Sequence, residues 1–186
     1  MQDRARSPRN SGRSDGENAG GTDASFVCGS FVRFSIEIDQ ETRIVADAKF
    51  QTNGCGYMIA AADALTEIIK NKHLGDLHGL QTEELRNAVF EMLGVFDDSR
   101  RQCADCSIRA LRTAFADFRT RQIEEFHGEK ALICTCFGVA ENTIESLIEE
   151  RSVQSVEEVG RLCNAGTGCG SCRMLIQEML DAAAGE

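Results

Sequence analysis

Apolar and polar positions alternate strictly from Phe31 to Ile38: Val32, Phe34, Ile36 and Ile38 fall on one side, Arg33, Ser35 and Glu37 on the other. A period of two in β-branched and aromatic residues predicts a strand. Arg43–Phe50 alternates again, with Ile44, Ala46, Ala48 and Phe50 on one face, and the polar run Asp39–Thr42 joins the two as a hairpin. Gln51–Asn53 extends this as a short strand before Gly54-Cys55-Gly56. The period then lengthens. Ala60, Ala61, Ala64, Leu65 and Ile68 predict a helix over Tyr57–Lys70. A second helix is expected over Glu83–Leu93, capped by Thr82 and stopped at Gly94. A third is expected to start near Cys103 and run into the 120s, with Ile108, Leu111, Phe115 and Phe118 inward. Strands first and helices after predict an α+β domain, a small antiparallel sheet with helices on one face.

Residues 1–25, rich in Arg, Ser, Gly, Asp and Asn, are expected to be flexible. The polar stretch Gln122–Lys130 marks a boundary, giving a first domain over 26–127 and a second over 131–184. Beyond the boundary the periodicity is only helical. Ile144, Leu147 and Ile148 mark one helix, Ser155-Val-Glu-Glu158 caps another, and Leu175, Ile176, Met179 and Leu180 mark a third. A domain of that size needs a staple.

Composition narrows the function. Apolar residues are 42% of the 186, enough for a core, and the net charge of −10 argues against a nucleic-acid partner. No apolar run approaches membrane-spanning length and the N-terminal residues lack a secretory pattern, so a cytoplasmic, membrane-free protein is expected. In a reducing compartment nine cysteines are ligands sooner than disulfides. His73, His78 and His127 read as surface histidines, and Glu141, Glu145, Glu149 and Glu150 as a solvated helix face or a docking face for a basic partner. No Ser/His/Asp or Cys/His couple and no phosphate loop is present, so neither hydrolytic or thiol-protease chemistry nor a phosphate-loop site is expected.

Four of the cysteines come as two couples, Cys134-Thr-Cys136 and Cys169-Gly-Ser-Cys172. Four thiolates hold either a structural zinc or a small iron–sulfur cluster, and spacing alone leaves both open. Gly166, Gly168 and Gly170 let backbone amides approach the sulfurs, and a helix starting after Cys172 offers its free N–H end. Cys163 lies on a helix stripe and reads as a structural thiol. Cys134-Thr-Cys136-Phe-Gly-Val139 followed by Ala165-Gly-Thr-Gly-Cys169-Gly-Ser-Cys172 resembles the bacterioferritin-associated-ferredoxin-type [2Fe–2S] module over about 132–181. That resemblance favours iron–sulfur over zinc and implies a permanent, redox-active [2Fe–2S] cluster on Cys134, Cys136, Cys169 and Cys172.

Cys28, Cys55 and Cys103 each fall where one expected element gives way to another. An unrelated buried thiol is the commoner fate of any one of them, but three in such places could converge on a metal. Pro8-Arg9-Asn10 with Gly12, the strand pair after Cys28, Phe50–Gly56 and the Cys103–Phe115 helix together resemble the U-type iron–sulfur cluster assembly scaffold over about 7–120. The whole chain looks like a NifU-like scaffold lacking its usual third, carrier domain. The resemblance implies a transient cluster on Cys28, Cys55 and Cys103, built from iron and from sulfur delivered to Cys103 by a cysteine desulfurase, then passed to apo iron–sulfur client proteins. A homodimer is among the expected assemblies. The alternative is an electron-transfer protein in which only the C-terminal cluster works.

Three departures stand out. Ser30 occupies the place of the family's Asp, Gln102 that of its His, and the proline-rich chaperone motif is absent, since Pro8 is the one proline. Cys106, one helical turn after Cys103, either replaces the missing His as a fourth ligand or packs as a core thiol beside Ile108 and Leu111.

Overall fold

The computed structural model describes residues 1–124 and 131–184, which form two compact units, Met1–Phe118 and Arg119–Glu186. The first unit opens with helix α1 (Gln2–Arg6) and strand β1 (Ala19–Ala24), followed by β2 (Phe31–Ile38) and β3 (Val45–Thr52). The sheet is antiparallel in the order β1-β2-β3. Helices α2 (Gly56–Ile69), α3 (Leu74–Leu77), α4 (Thr82–Leu93) and α5 (Asp98–Glu124) follow. Val32, Phe34, Ile36 and Ile38 are buried as the alternation required, and they pack with Met58, Leu65, Ile69, Ile108 and Leu111 into one core.

Residues 1–25, expected to be flexible, are instead built into the unit. Asp63 on α2 is fully buried and explains why. Its carboxylate accepts from Arg4 Nη1 at 2.9 Å and from the backbone N–H groups of Arg9 and Asn10 at 2.8 and 3.0 Å. A buried carboxylate is tolerable only when its lone pairs are met in this way. From there Asn10 and Gly12 bond to the backbone of Phe50 on β3. Ser14 N–H donates to the buried Ser35 hydroxyl on the other face of the sheet, and the chain turns into β1.

Strand β1 (Ala-Gly-Gly-Thr-Asp-Ala) escaped the periodicity because its side chains are small by necessity. A Cβ on Gly21 would lie 2.2 Å from the Ala114 nitrogen and 2.3 Å from the Ala110 oxygen, so the α5 backbone rests directly on the strand. In β3 the expected face is only half right. A bulge sets Ile38 opposite Val45 and Glu37 opposite Asp47, leaving Ala46 unpaired. Val45 therefore points inward, whereas Ile44 and Ala46 are exposed. The α4 cap is Gln81, not Thr82: Gln81 and Glu84 form a reciprocal capping box. Helix α5 begins at Asp98, before Cys103; its first turn is polar and leaves no apolar period to read in the sequence.

The second unit holds β4 (Leu132–Cys134), β5 (Val139–Ala140), α6 (Glu141–Arg151), α7 (Val156–Cys163) and α8 (Arg173–Ala184). The helices follow the sequence reading, and Ser155 caps α7 by accepting from Glu158 N–H. The short β4–β5 ladder is an addition to the helical pattern, too brief to leave a periodicity. Ile144, Val156, Val159, Ile176 and Leu180 are buried in this unit together with Cys134 and Cys172. His73 accepts from Gly75 N–H as the cap of α3, which gives it a structural task; His127 lies outside the described residues.

Candidate iron–sulfur sites

In the first unit Cys55 is the N-cap residue of α2, exposed, and Cys103 sits on α5, buried. Their sulfurs are 3.8 Å apart. Cys103 was expected at a helix start, but α5 begins five residues earlier, so this thiol lies inside the helix. Burial beside Cys55 pushes Cys103 up to about 12. Cys55 feels burial as well, but the N–H groups of Met58 and Tyr57, the Cys103 thiol and the Arg100 cation together take it below the ordinary thiol value. Of the two, Cys55 is therefore the more acidic thiol and Cys103 the one that holds its proton more tightly.

Cys28 sits exposed in the β1–β2 turn, closed by Ser25 N–H to the Ser30 carbonyl at 2.8 Å. The Ser30 and Ser25 hydroxyls and the Ser30 N–H hold it at about 7, with a contribution from Arg100. Cys28 in turn acts on Cys103. One cation thus serves all three thiols. Arg100 also stands over the Tyr57 ring at 5.6 Å, and with Met1, Ala5 and Cys55 it lines an open cleft of about 350 Å³. The sequence reading missed Arg100. It lies one turn before Cys103 on the same helix, a relation hidden as long as the helix is started at Cys103. Cys106 is fully buried, with Asp23 on β1 as its acidic neighbour. Burial and that carboxylate push it up to about 12. Asp23 is fixed in turn by Arg109 at 2.9 Å.

In the second unit the two couples meet. Cys136 donates to Cys169 at 3.4 Å, and Cys134 pairs with Cys172. Each pair takes one thiol from each couple. Burial raises Cys134 against the N–H groups of Phe137 and Gly166, and it raises Cys136 against the N–H of Cys169. The exposed Cys169 is held at about 7 by Ser171, whose hydroxyl is 3.2 Å away, and by Cys136. Gly166 offers its N–H to Cys134 from a left-handed conformation (φ +82°), which a larger residue would adopt only with strain. Among the described residues no three Cys, His, Asp or Glu side chains stand around one point that would hold a single ion. Two thiol pairs with backbone N–H donors aimed at sulfur fit a dinuclear cluster, whose irons each take two thiolates. Cys163, partly buried, donates to the Val159 carbonyl one turn back, and burial raises it.

Comparison with known proteins bears on both units. The NifU-like N terminal domain matches residues 1–125. The chain belongs to the NifU-like family. The BFD-like [2Fe-2S] binding domain matches residues 132–182, which contain both cysteine couples. This NifU-like chain is 31% identical over 173 residues to the nitrogen fixation protein NifU of Azotobacter chroococcum mcd 1, covering 93% of the chain and 55% of that protein. It is 32% identical over 164 residues to the nitrogen fixation protein NifU of Trichormus azollae, covering 87% of the chain and 53% of that protein. It is 30% identical over 115 residues to the iron-sulfur cluster assembly scaffold protein IscU of Aquifex aeolicus, covering 62% of the chain and 71% of that protein. The chain spans about half the length of the nitrogen fixation relatives it matches. The expected α+β unit followed by a helical [2Fe–2S]-binding one agrees with both matches and with the observed elements. No helix among the described residues is long and apolar enough to cross a membrane.

Proposed function

We propose that this chain is an iron–sulfur cluster assembly scaffold, a carrier without turnover chemistry of its own. Its substrates are iron and sulfur. Cys28, Cys55 and Cys103 hold the growing cluster, Cys103 receives sulfur from a cysteine desulfurase, and the cargo passes to apo client proteins in the cytoplasm. The observation that carries this reading is the Cys55–Cys103 contact at 3.8 Å under the Arg100 cation, with Cys28 on the adjoining turn. An anionic cluster needs thiolates and a nearby positive charge, and this corner of the unit supplies both. Cys134, Cys136, Cys169 and Cys172 would hold a permanent [2Fe–2S] cluster, which supplies one-electron transfer when bound.

The deciding experiment is cluster transfer. Anaerobic protein loaded with ferrous iron and sulfide should convert an apo-ferredoxin to its holo form. Cys55→Ser should abolish that transfer while keeping the C-terminal visible spectrum and its bleaching by dithionite. Transfer at the wild-type rate from Cys55→Ser would remove the N-terminal thiols from the function and leave a redox protein. A ligand role for Cys106 would require its thiol to leave Asp23, and a lower cluster yield in Cys106→Ser loaded from sulfide would reveal it.

A further inference from the structure

The scaffold reading leaves Cys106 without a task. It belongs to Cys103-Ala-Asp-Cys106, two thiols one turn apart on α5. Helix geometry sets the two Cα atoms about 5 Å apart. Disulfides span roughly 4.4–6.8 Å between Cα atoms. Both thiols are buried, at 3% and 0% exposure, and Cys103 acts electrostatically on Cys106. Cys106 also has a carboxylate at hand in Asp23, which Arg109 holds through Nε at 3.0 Å and Nη2 at 2.9 Å.

Sulfur enters a cluster as sulfide, two electrons richer than the sulfane sulfur of a persulfide. We infer that Cys106 is the resolving thiol that releases sulfide from a persulfide on Cys103. The inference rests on the scaffold reading above. The Cys106 sulfur attacks Cys103 Sγ as its proton passes to Asp23. The bond from Cys103 Sγ to the terminal sulfur breaks, and its electron pair leaves with that sulfur as HS⁻. A Cys103–Cys106 disulfide forms, so the two thiol sulfurs are oxidised while the sulfane sulfur is reduced. An external dithiol then restores both thiols by thiol–disulfide exchange and is itself oxidised to a disulfide. Cys55 also stands close to Cys103, at 3.8 Å, but its attack would bind up two of the three proposed cluster thiols in one disulfide.

The test uses the full chain, anaerobic, with two sulfur sources: inorganic sulfide and a small-molecule persulfide. Wild-type protein given persulfide should release sulfide. Its non-reduced 103–106 peptide should lose two hydrogens in step with that release. Cys106→Ser and Cys106→Ala should release sulfide from persulfide at least tenfold more slowly, yet assemble the cluster from inorganic sulfide at the wild-type rate, which also shows that they fold. Equal rates from both sources in the variants would overturn the inference and spare the scaffold. A disulfide found at Cys55–Cys103 would overturn it too. Variants failing equally with inorganic sulfide would overturn it in favour of a ligand role for Cys106. Wild-type protein that assembles nothing from either source would bring down the scaffold reading, and this one with it.

Discussion

Ser30 shows how one hydroxyl can set the behaviour of this corner. It stands where the family's pattern has Asp, and it hydrogen-bonds Cys28. With Ser25 it holds that exposed thiol at about 7, which favours the thiolate near neutral pH. In Ser30→Ala the Cys28 value should climb toward the ordinary 9.0. Alkylation of Cys28 at pH 7 should slow by about three- to tenfold, with the two rates converging above pH 9. Peptide-resolved iodoacetamide labelling reads this, and an unchanged rate would assign the shift elsewhere. Ser30→Asp should act differently, because a carboxylate near an anionic cluster adds like-charge repulsion. Chelator-driven loss of the transient cluster should be faster in Ser30→Asp than in wild-type protein. Cys28 and Cys55 were legible in the sequence because each stands beside a glycine near an element boundary, whereas Cys103, inside α5, was picked out by the resemblance. Arg100 and Asp23 were not legible. One lies in a helical turn with no apolar period, the other on a strand whose residues are too small to announce it.

Helix α5 and strand β1 decide how the N-terminal thiols are placed, because α5 carries Cys103 and Cys106 and β1 leads into the Cys28 turn. Their contact depends on Gly21. In Gly21→Ala the new methyl meets the backbone of α5 at Ala110 and Ala114, so strand or helix must shift, at a cost of about 2–4 kcal/mol. Urea unfolding should show that loss. The second tie is the N-terminal clamp on α2. Asp63→Ala leaves Arg4 and the N–H groups of Arg9 and Asn10 without their buried acceptor, which should cost about 3–5 kcal/mol. Residues 1–12 should then lift from β3, and trypsin should cut after Arg9 far sooner than in wild-type protein. Acid should loosen the same clamp. The Arg4 guanidinium, at 2.6 Å, lowers Glu67 below its ordinary 4.5. A depressed carboxylate stabilises the fold above its unfolded value, and that stability is lost as pH falls from about 4.5 through the folded value. The hairpin β2–β3 and helices α2 and α4 were readable because their partners lie on one apolar face. The clamp was not, since a polar, arginine-rich stretch looks the same whether it is solvated or seated on a buried carboxylate.

At the scale of the whole molecule the two units differ in what holds them. The first has a continuous core drawn from its sheet and from helices α2, α4 and α5. The second buries few large side chains, and two of its buried residues are the thiols Cys134 and Cys172. Its free energy of folding should therefore depend on whatever those thiols hold, since binding to the folded state alone adds directly to stability. Cys136→Ser removes one thiol of the Cys136–Cys169 pair and leaves both hydrophobic cores untouched. Scanning calorimetry of anaerobic wild-type protein should resolve two transitions. In Cys136→Ser the one belonging to residues 131–184 should drop by about 10 °C or more, with loss of the visible absorbance. The transition of the first unit should stay within about 1 °C, because none of its contacts changes. Hydrogen exchange assigns each transition to its unit. If both fell together, stability would not be divided between the units, and the cluster would be a prop for the whole chain and not the staple of its smaller part.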